Sequence, residues 1–340
     1  MRQVWITRSG APGVLQVREA ADPTPSAGQL RIRVEASGVN FADVMGRLGV
    51  YPDLPPLPVV PGYEVAGRVD AVGEGVDGSW VGKDVLSLTR FGGYSDVVCV
   101  PAIQVVERPQ GLSATEAAAI PVNYLTAYQL VVVMGGLRRG ETVLIHSAGG
   151  GVGIAATQLA VHLGARVFGT ASIGKHAFLK ELGVSECIDY RTEDFEERVR
   201  ELTGGRGVEL VLDAVGGDSF KKSYRSLSAT GRLGMFGFSA AVSGTERSLW
   251  SYVKGAAQMP WFQFNPVALM NENKGAFGVN VGHLWNEQER VLGWLEALME
   301  LQSEGVVKPR VDSVFSFADA AEAHRRLQDR KNIGKVILVP

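Results

Sequence analysis

The chain has 340 residues, of which 46% are apolar and 21% are charged, and its formal net charge is −2. This length exceeds one ordinary core and predicts two domains, while the near-neutral charge gives no reason to expect nucleic acid or an anionic membrane as a partner. Met1 to Trp5 is typical of a strand and not of a signal peptide, and the most apolar run, Leu130 to Leu137, is too short to span a bilayer. We therefore expect a cytoplasmic protein.

Cysteine and histidine usage argues against a metal enzyme. Cys99 and Cys187 are the only cysteines, and each lies in a β-like run, which suits buried free thiols in a reducing compartment. The five histidines are scattered singly, and no C-x-x-C or H-x-x-x-H spacing occurs. A zinc site needs three or four ligands in workable geometry, so we expect no metal site.

From Met1 to about Asn123 the sequence alternates apolar and polar residues in short segments that Gly and Pro interrupt. The clearest strands are predicted at 14–18, 29–36, 65–72 and 94–100. Their hairpin-like spacing predicts a compact, partly closed β-barrel. The proline-rich stretch Tyr51 to Pro58 is predicted to be a rigid loop, because it runs straight into the next strand.

A strand, a glycine turn, a helix and a second strand follow one another between residues 141 and 172. The turn carries Ala148-x-Gly150-x-x-Gly153 where dinucleotide-binding proteins carry Gly-x-Gly-x-x-Gly. Glycines let the backbone approach a pyrophosphate, whose charge then lies at the positive N-terminus of the helix. In this βαβ context the turn predicts a dinucleotide site, with a tight turn that binds nothing as the alternative.

The end of the second strand indicates which dinucleotide is bound. NAD enzymes place Asp or Glu about 20 residues past the turn, where it binds the ribose 2′-hydroxyl. Here residues 169–176 read Gly-Thr-Ala-Ser-Ile-Gly-Lys-His, so Ser172 and Lys175 stand in this region and no acid does. A hydroxyl and a cation suit a 2′-phosphate, and we predict NADPH. Lys175 is alternatively a solvated surface lysine, and the missing acid is the firmer observation.

Helix and strand patterns alternate beyond Ala117, among them a helix at 195–202 and a strand at 208–214. This alternation predicts an α/β Rossmann domain with a doubly wound parallel sheet. The predicted domains are a catalytic β domain at 1–123, the NADPH-binding domain at 124–285, and a return to the catalytic domain at 286–340. Residues 239–274 are less regular and carry Trp250, Trp261, Phe262 and Phe264. We expect these aromatic residues to form part of the core, a lid over a substrate, or a surface that binds a partner.

Several motifs resemble the medium-chain dehydrogenase/reductase superfamily, specifically its zinc-free quinone oxidoreductase branch. The resemblance covers essentially the whole chain and rests on Asn40-Phe41-x-Asp43, Pro61-Gly62-x-Glu64, Thr126-Ala127-Tyr128, the glycine turn, Asp189-Tyr190-Arg191 and Gly334-Lys335-Val336. Tyr63 stands where the zinc-dependent relatives carry His, and their structural zinc lobe is missing. Within the branch the chain looks most like the vesicle amine transport protein homologues, and its Asn40 motif also resembles the enoyl reductase domains of polyketide synthases.

The resemblance implies a GroES-like barrel beside the Rossmann domain, and hydride transfer from nicotinamide C4 to a quinone or α,β-unsaturated carbonyl. Tyr51 would donate a hydrogen bond to the substrate oxygen, directly or through water, or would pack on the proline run. Asn40 would bind the nicotinamide ribose or the substrate, and Asp43 would orient this loop or act as a helix N-cap. The predicted cofactor contacts are Thr126, Ala148, Gly150, Gly151, Val152, Gly153, Ser172, Lys175, Tyr190, Phe238 and Asn332.

Two other functions remain open. An enoyl-thioester reductase would act on a carrier-bound acyl chain and would need a basic patch, for which Arg47, Arg68 and Arg90 are candidates. An NADPH-binding interaction or trafficking protein would have little turnover and would use residues 239–274 as its partner surface. By analogy with relatives we also expect a homodimer that pairs exposed edge strands, with Leu233 to Phe238 as the predicted edge.

Overall fold

The computed structural model describes residues 1–242 and 265–340. In these ranges the strands are β1 (Arg2–Ile6), β2 (Leu15–Glu19), β3 (Gln29–Val39), β4 (Glu64–Val72), β5 (Asp84–Leu88), β6 (Val97–Pro101), β7 (Val105–Glu107), β8 (Thr142–Ile145), β9 (Arg166–Thr170), β10 (Glu186–Ile188), β11 (Val208–Asp213), β12 (Leu227–Met235), β13 (Gly275–Gly278), β14 (Val311–Ser316) and β15 (Lys335–Val339). The helices of the same ranges are α1 (Phe41–Leu48), α2 (Ala114–Ala117), α3 (Pro121–Tyr128), α4 (Gly151–His162), α5 (His176–Glu181), α6 (Phe195–Leu202), α7 (Asp218–Arg225), α8 (Pro266–Glu272), α9 (Gln288–Ser303) and α10 (Ala320–Gln328).

The chain divides into two compact units. A β-rich unit contains residues 1–125 and 281–340, and an α/β unit contains residues 126–280. The domain borders predicted from the sequence are 123/124 and 285/286, and the two units meet at 125/126 and 280/281 along the chain. The aromatic residues Trp250, Trp261, Phe262 and Phe264, for which core, lid and partner surface were the alternatives, lie outside the described residues.

The β-rich unit is organised around β3, which is long enough to pair with three other strands. In the described residues its sheet has the order β14-β15-β3-β4-β5-β7, and β6 also pairs with β3. The β3, β4 and β5 pairings are antiparallel, whereas β14 and β15 run parallel. Alternate residues of these strands face one core, in which Leu30, Ile32 and Val65 are fully buried. The predicted β domain is confirmed.

The α/β unit is a Rossmann fold. In the described residues its six strands have the order β10-β9-β8-β11-β12-β13, and all pairs are parallel. This order is the doubly wound arrangement in which the first strand of the unit, β8, lies at the centre and the chain switches direction beside it. Both faces of the sheet are covered, and every residue of β11 is buried. Four of its six residues are apolar, as expected for a strand that is buried on both faces.

Two local predictions are wrong. The first half of the predicted edge strand Leu233 to Phe238 lies in β12, and β13 pairs with β12 on its outer side, so β12 is not an edge. Residues 41–48, which the sequence analysis treated as loop, form helix α1. Asn40 is its N-cap and Asp43 is the third helical residue, so Asp43 is not the N-cap itself.

Helix α1 begins and ends with ordinary signals. The Asp43 carboxylate accepts a hydrogen bond from the Asn40 amide at 2.8 Å, which satisfies a backbone donor that lies before the first turn. Gly49 follows with a φ of 76°, a left-handed conformation that glycine adopts without steric cost and that stops the helix. In the described part of the chain, no helix is long and apolar enough to cross a membrane.

Candidate active site

The glycine turn of the α/β unit leads from β8 into the first turn of α4. A Cβ atom on Gly153 would lie 2.5 Å from the Ser147 carbonyl oxygen and 2.7 Å from Ala148 Cα, so only glycine allows the helix to pack this closely on the strand. The Gly150 amide donates to the Ser147 carbonyl at 2.8 Å. The amides of Gly151, Val152 and Gly153 have no acceptor within the helix because they lie in its first turn. These three amides fit the pyrophosphate of a dinucleotide.

Ser172 and Lys175 lie directly after β9, as the sequence predicted. A Cβ atom on Gly149 would lie 2.8 Å from Lys175 Cδ, so the lysine stem crosses the glycine turn. The Ser172 carbonyl accepts from the Lys175 amide at 2.9 Å and shapes the short turn between them. The region that would hold the ribose of the adenosine half therefore carries a lysine side chain and a serine hydroxyl, and it carries no carboxylate between β9 and α5.

A buried polar network joins the carboxyl ends of β8, β9 and β11. Ser223 Oγ donates to Asp213 Oδ2 at 2.7 Å, and its oxygen lies 3.1 Å from His146 Nε2, while His146 Nδ1 lies 3.0 Å from Thr170 Oγ1. Since the serine hydrogen goes to the aspartate, Nε2 carries the histidine proton and Nδ1 accepts from Thr170. Burial lowers the pKa of His146. With the serine between histidine and aspartate and all three buried, the network orients loops and offers no nucleophile.

In the β-rich unit, the Asn40 side chain is held by a buried ion pair. Lys335 and Glu64 form a salt bridge with side chains that are 3% and 0% exposed. Lys335 Nζ donates to Asn40 Oδ1 at 2.6 Å, and Asn40 Nδ2 donates to Glu64 Oε1 at 2.9 Å and to the Gly38 carbonyl at 3.4 Å. A Cβ atom on Gly38 would lie 2.3 Å from Glu64 Oε1, so glycine is needed beside this pair.

The remaining contacts of this cluster tie three strands and a helix together. Glu64 Oε2 accepts from the Val122 amide in the first turn of α3 at 2.7 Å, and Lys335 Nζ lies 3.5 Å from Asn123 Oδ1. Asn40 thus has both amide hydrogens engaged, and its oxygen retains one lone pair for a further donor. In the sequence, Glu64 and Lys335 stand out only as motif residues. The signal it missed is a lysine at the head of the buried apolar strand β15.

Asp43 is fully buried and fixes two backbone segments at once. Besides the Asn40 amide, it accepts hydrogen bonds from the Gly62 amide at 3.0 Å and from the Tyr94 hydroxyl at 3.1 Å. Burial raises the pKa of Asp43 to about 7, and these hydrogen bonds oppose the rise. Asp43 therefore ties the start of α1 to the turn before Tyr63, and its role in a reaction remains a prediction.

A directed chain of hydrogen bonds runs from Arg47 through His324 and Tyr94 to Asp43. Arg47 Nε lies 3.4 Å from His324 Nδ1, and His324 Nε2 lies 3.4 Å from the Tyr94 oxygen. Because arginine only donates, Nδ1 accepts, and the histidine proton is on Nε2, directed at Tyr94. Burial, together with the Arg47 charge, lowers the pKa of His324 to about 3. Arg47 is fully buried, so it is not available to the surface patch for which it was a candidate.

Tyr51 lies in the loop after α1, and its ring packs against Tyr63. The two ring centroids are 6.1 Å apart with the planes at 73°, and Tyr63 also packs against Phe91 at 5.1 Å. Tyr63 is 8% exposed, whereas Tyr51 is partly exposed. Asn40, Asp43 and Tyr51 are therefore carried by one short segment, which α1 and its capping interactions hold in place.

The other predicted cofactor contacts are distributed over both units. Thr126 lies on α3, Tyr190 is 43% exposed after β10, and Phe238 is 40% exposed after β12, where its ring meets Phe220 at 5.8 Å. Asn332 is buried and donates to the Gly334 carbonyl at 2.7 Å, a bond that shapes the turn before β15. Their contacts with a cofactor remain predictions. Over residues 1–242 and 265–340, no three His, Cys, Asp or Glu residues are grouped so that they could hold a metal ion.

Comparison with known proteins places this fold and site in a class. The sequence profile of the alcohol dehydrogenase GroES-like domain matches residues 26–110, and the profile described as zinc-binding dehydrogenase matches residues 182–338. With these matches and the full-length relatives below, the chain belongs to the medium-chain dehydrogenase/reductase superfamily. The predicted superfamily and fold class, a Rossmann domain with a GroES-like domain, are confirmed.

Individual relatives narrow the class. The chain is 44% identical over 329 residues to the synaptic vesicle membrane protein VAT-1 homolog of Rattus norvegicus, covering 96% of this chain and 80% of that protein. The quinone oxidoreductase of Escherichia coli complexed with NADPH superimposes with a TM-score of 0.87 at 31% identity, covering all of both chains. CurK enoyl reductase gives a TM-score of 0.84 at 30% identity, covering 99% of this chain and 98% of that one.

Proposed function

We propose that this chain is an NADPH-dependent oxidoreductase that reduces a quinone or an α,β-unsaturated carbonyl without a metal ion. The observation that carries the cofactor choice is the turn after β9, where Lys175 crosses Gly149 and no carboxylate is present. A 2′-phosphate suits a cation and a hydroxyl, and it would be repelled by the acid that NAD enzymes carry here. When bound, NADPH supplies the hydride of the reaction.

The protein's own residues divide the remaining tasks. The first-turn amides of α4 would hold the pyrophosphate, because the Gly150 amide donates to the Ser147 carbonyl and those of Gly151 to Gly153 have no acceptor within the helix. Asn40 has both amide hydrogens engaged, so it cannot donate to a substrate carbonyl, and its remaining lone pair suits a ribose hydroxyl. Of the two roles predicted for Asn40, we therefore propose the ribose contact.

Tyr51 is the proposed hydrogen-bond donor to the substrate oxygen. Hydride addition to a quinone or enone places negative charge on the carbonyl oxygen, and a preorganised donor stabilises that charge as it develops. Tyr51 is partly exposed and packed edge-on against a buried ring, which restricts its side chain. The phenol hydroxyl of a tyrosine is a hydrogen-bond donor that suits a carbonyl oxygen.

The test is oxidation of NADPH, followed by absorbance, with a benzoquinone, phenanthrenequinone, a 2-alkenal and crotonyl thioester as acceptors. We expect turnover with a quinone or an enone, and we expect Tyr51→Phe to lower kcat by about 10²-fold while the Kd for NADPH stays the same. Tyr224→Phe, a change in the α/β unit that touches none of the proposed groups, is the matched control. Unchanged kinetics in Tyr51→Phe would return that residue to a packing role.

An enoyl-thioester reductase is the second candidate, and the likeness to CurK enoyl reductase favours it. Its expected basic patch is weaker than the sequence suggested, because Arg47 is buried, Arg68 pairs with Asp84 at 2.7 Å, and Arg90 stacks on Trp285 at 6.0 Å. Turnover confined to crotonyl thioester would select this candidate. Binding of NADPH with no turnover on any acceptor would favour an interaction protein. The homodimer also remains a proposal, without the edge strand first predicted for it.

A further inference from the structure

The hydroxyl of Tyr63 is buried, and it reaches no hydrogen-bond partner in the described part of the protein. Buried polar groups in folded proteins are almost always paired, and an exception calls for an explanation. The Tyr63 ring contacts two other aromatic rings, those of Tyr51 and Phe91. Burial raises the pKa of the Tyr63 hydroxyl, with smaller effects of Asp43 and of Tyr51, so it is a neutral donor.

The backbone holds Tyr63 in place. The preceding Gly62 amide donates to Asp43 Oδ1 at 3.0 Å, and the Tyr63 carbonyl accepts from the Thr89 amide at 2.8 Å. Tyr51 differs, because it lies in a loop beyond Gly49 and is partly exposed. The pair therefore consists of one fixed, buried tyrosine and one accessible tyrosine packed edge-on against it.

We propose that Tyr63 is a positioning residue for Tyr51: its O–H donates to the hydroxyl oxygen of Tyr51, so that the Tyr51 O–H is directed to the substrate carbonyl oxygen. This inference rests on the proposed function, in which Tyr51 is the donor to substrate. A phenol has a single hydrogen. When its oxygen accepts from Tyr63, that hydrogen is left for the substrate, and the two hydrogen bonds strengthen each other as charge develops. Only hydrogen bonds form in this step, and no proton is transferred.

The experiment compares Tyr63→Phe, Tyr51→Phe and the double variant by steady-state kinetics, NADPH titration and thermal denaturation. Phenylalanine keeps the ring contacts of Tyr63 and removes only its hydroxyl, so we expect a Tm close to that of the wild type. We expect kcat to fall about 3- to 10-fold with little change in KM or in the Kd for NADPH. The double variant is expected to be no slower than Tyr51→Phe alone, because Tyr63 acts only through Tyr51.

Three results would overturn the inference while leaving the proposed function intact. They are a Tyr63→Phe enzyme with wild-type kcat, a Tyr63→Phe enzyme whose lower kcat is matched by a lower Tm and weaker NADPH binding, and kinetic losses that multiply in the double variant. The second result would indicate a structural role, and the third would indicate that Tyr63 acts without Tyr51. A wild-type protein that reduces none of the acceptors would instead overturn the proposed function, and this inference with it.

Discussion

The ion pair between Lys335 and Glu64 gives the sharpest test of how the β-rich unit holds Asn40. Both side chains are buried, at 3% and 0% exposure, so each charge depends on its protein partners more than on solvent. Lys335→Met removes the cation and its hydrogen bonds to Asn40 and Asn123, and it leaves the Glu64 carboxylate buried without its partner. Removing one member of a buried pair costs about 3–5 kcal/mol.

For a unit of this size, that loss corresponds to a decrease in Tm of roughly 6–20 °C. Thermal denaturation followed by circular dichroism measures it, with urea denaturation as a second measure. The matched control is Lys221→Met, which removes the exposed pair of Lys221 with Asp218, whose side chains are 47% and 89% exposed. We expect the control to change the free energy of unfolding by less than about 1 kcal/mol.

A double variant separates the charge effect from packing. Glu64→Gln keeps an acceptor for the Val122 amide and removes the negative charge, so Lys335→Met combined with Glu64→Gln leaves no uncompensated charge. We expect the double variant to be more stable than Lys335→Met alone by about 1–3 kcal/mol. If the two single losses simply add, or if Lys335→Met behaves like the exposed control, the buried-pair account is incorrect.

Three further expectations follow from other parts of the molecule. NADPH should bind at least about tenfold tighter than NADH, because a charge-assisted hydrogen bond to the 2′-phosphate contributes about 1.4 kcal/mol or more. Equal dissociation constants by calorimetry would contradict this expectation. Elemental analysis should find no stoichiometric zinc, and one zinc per chain would overturn the zinc-free assignment. His324 has a folded pKa of about 3 against about 6.5 unfolded, so the stability it contributes is complete above pH 6.5 and is lost as pH falls toward 3. The stability difference between wild type and His324→Gln should therefore shrink from pH 7 to pH 4, and a difference independent of pH would contradict this.

The spacing of apolar residues predicted the helices and strands whose buried residues follow a regular pattern along the sequence. Helix α6 was expected at Phe195 to Leu202 and has those bounds, because its apolar residues recur at helical spacing between an Asp194 cap and the glycines after it. Strand β11 was expected because a continuous apolar run suits a strand buried on both faces. In each case, the residues that specify the element are its own neighbours in sequence.

Contacts between residues that are far apart in the chain could not be predicted from the sequence. Lys335 and Asn40 are 295 residues apart, and no local pattern indicates that a lysine in one strand meets an amide at the start of α1. The sequence predicts a final strand at 276–281, which overlaps β13, but it carries no signal that this strand pairs with the outer side of β12. Helix α1 did carry a signal, namely Asn40 and Asp43 spaced as a capping box before Gly49. The sequence was interpreted as a functional loop, with a helix N-cap at Asp43 as the alternative, whereas the N-cap is Asn40.

The buried ion pair also determines which way the Asn40 amide faces. Rotating the amide by 180° would turn Nδ2 toward the Lys335 ammonium and Oδ1 toward the Glu64 carboxylate, so that both hydrogen bonds would become repulsive contacts. A neutral donor and a neutral acceptor would impose the same preference less strongly, because hydrogen bonds to charged groups are stronger. A buried ion pair contributes little net stability on its own, but here it leaves a single orientation in which one acceptor lone pair of Asn40 remains available. Loss of Lys335 is therefore expected to affect Asn40 through orientation as well as through the stability of the unit.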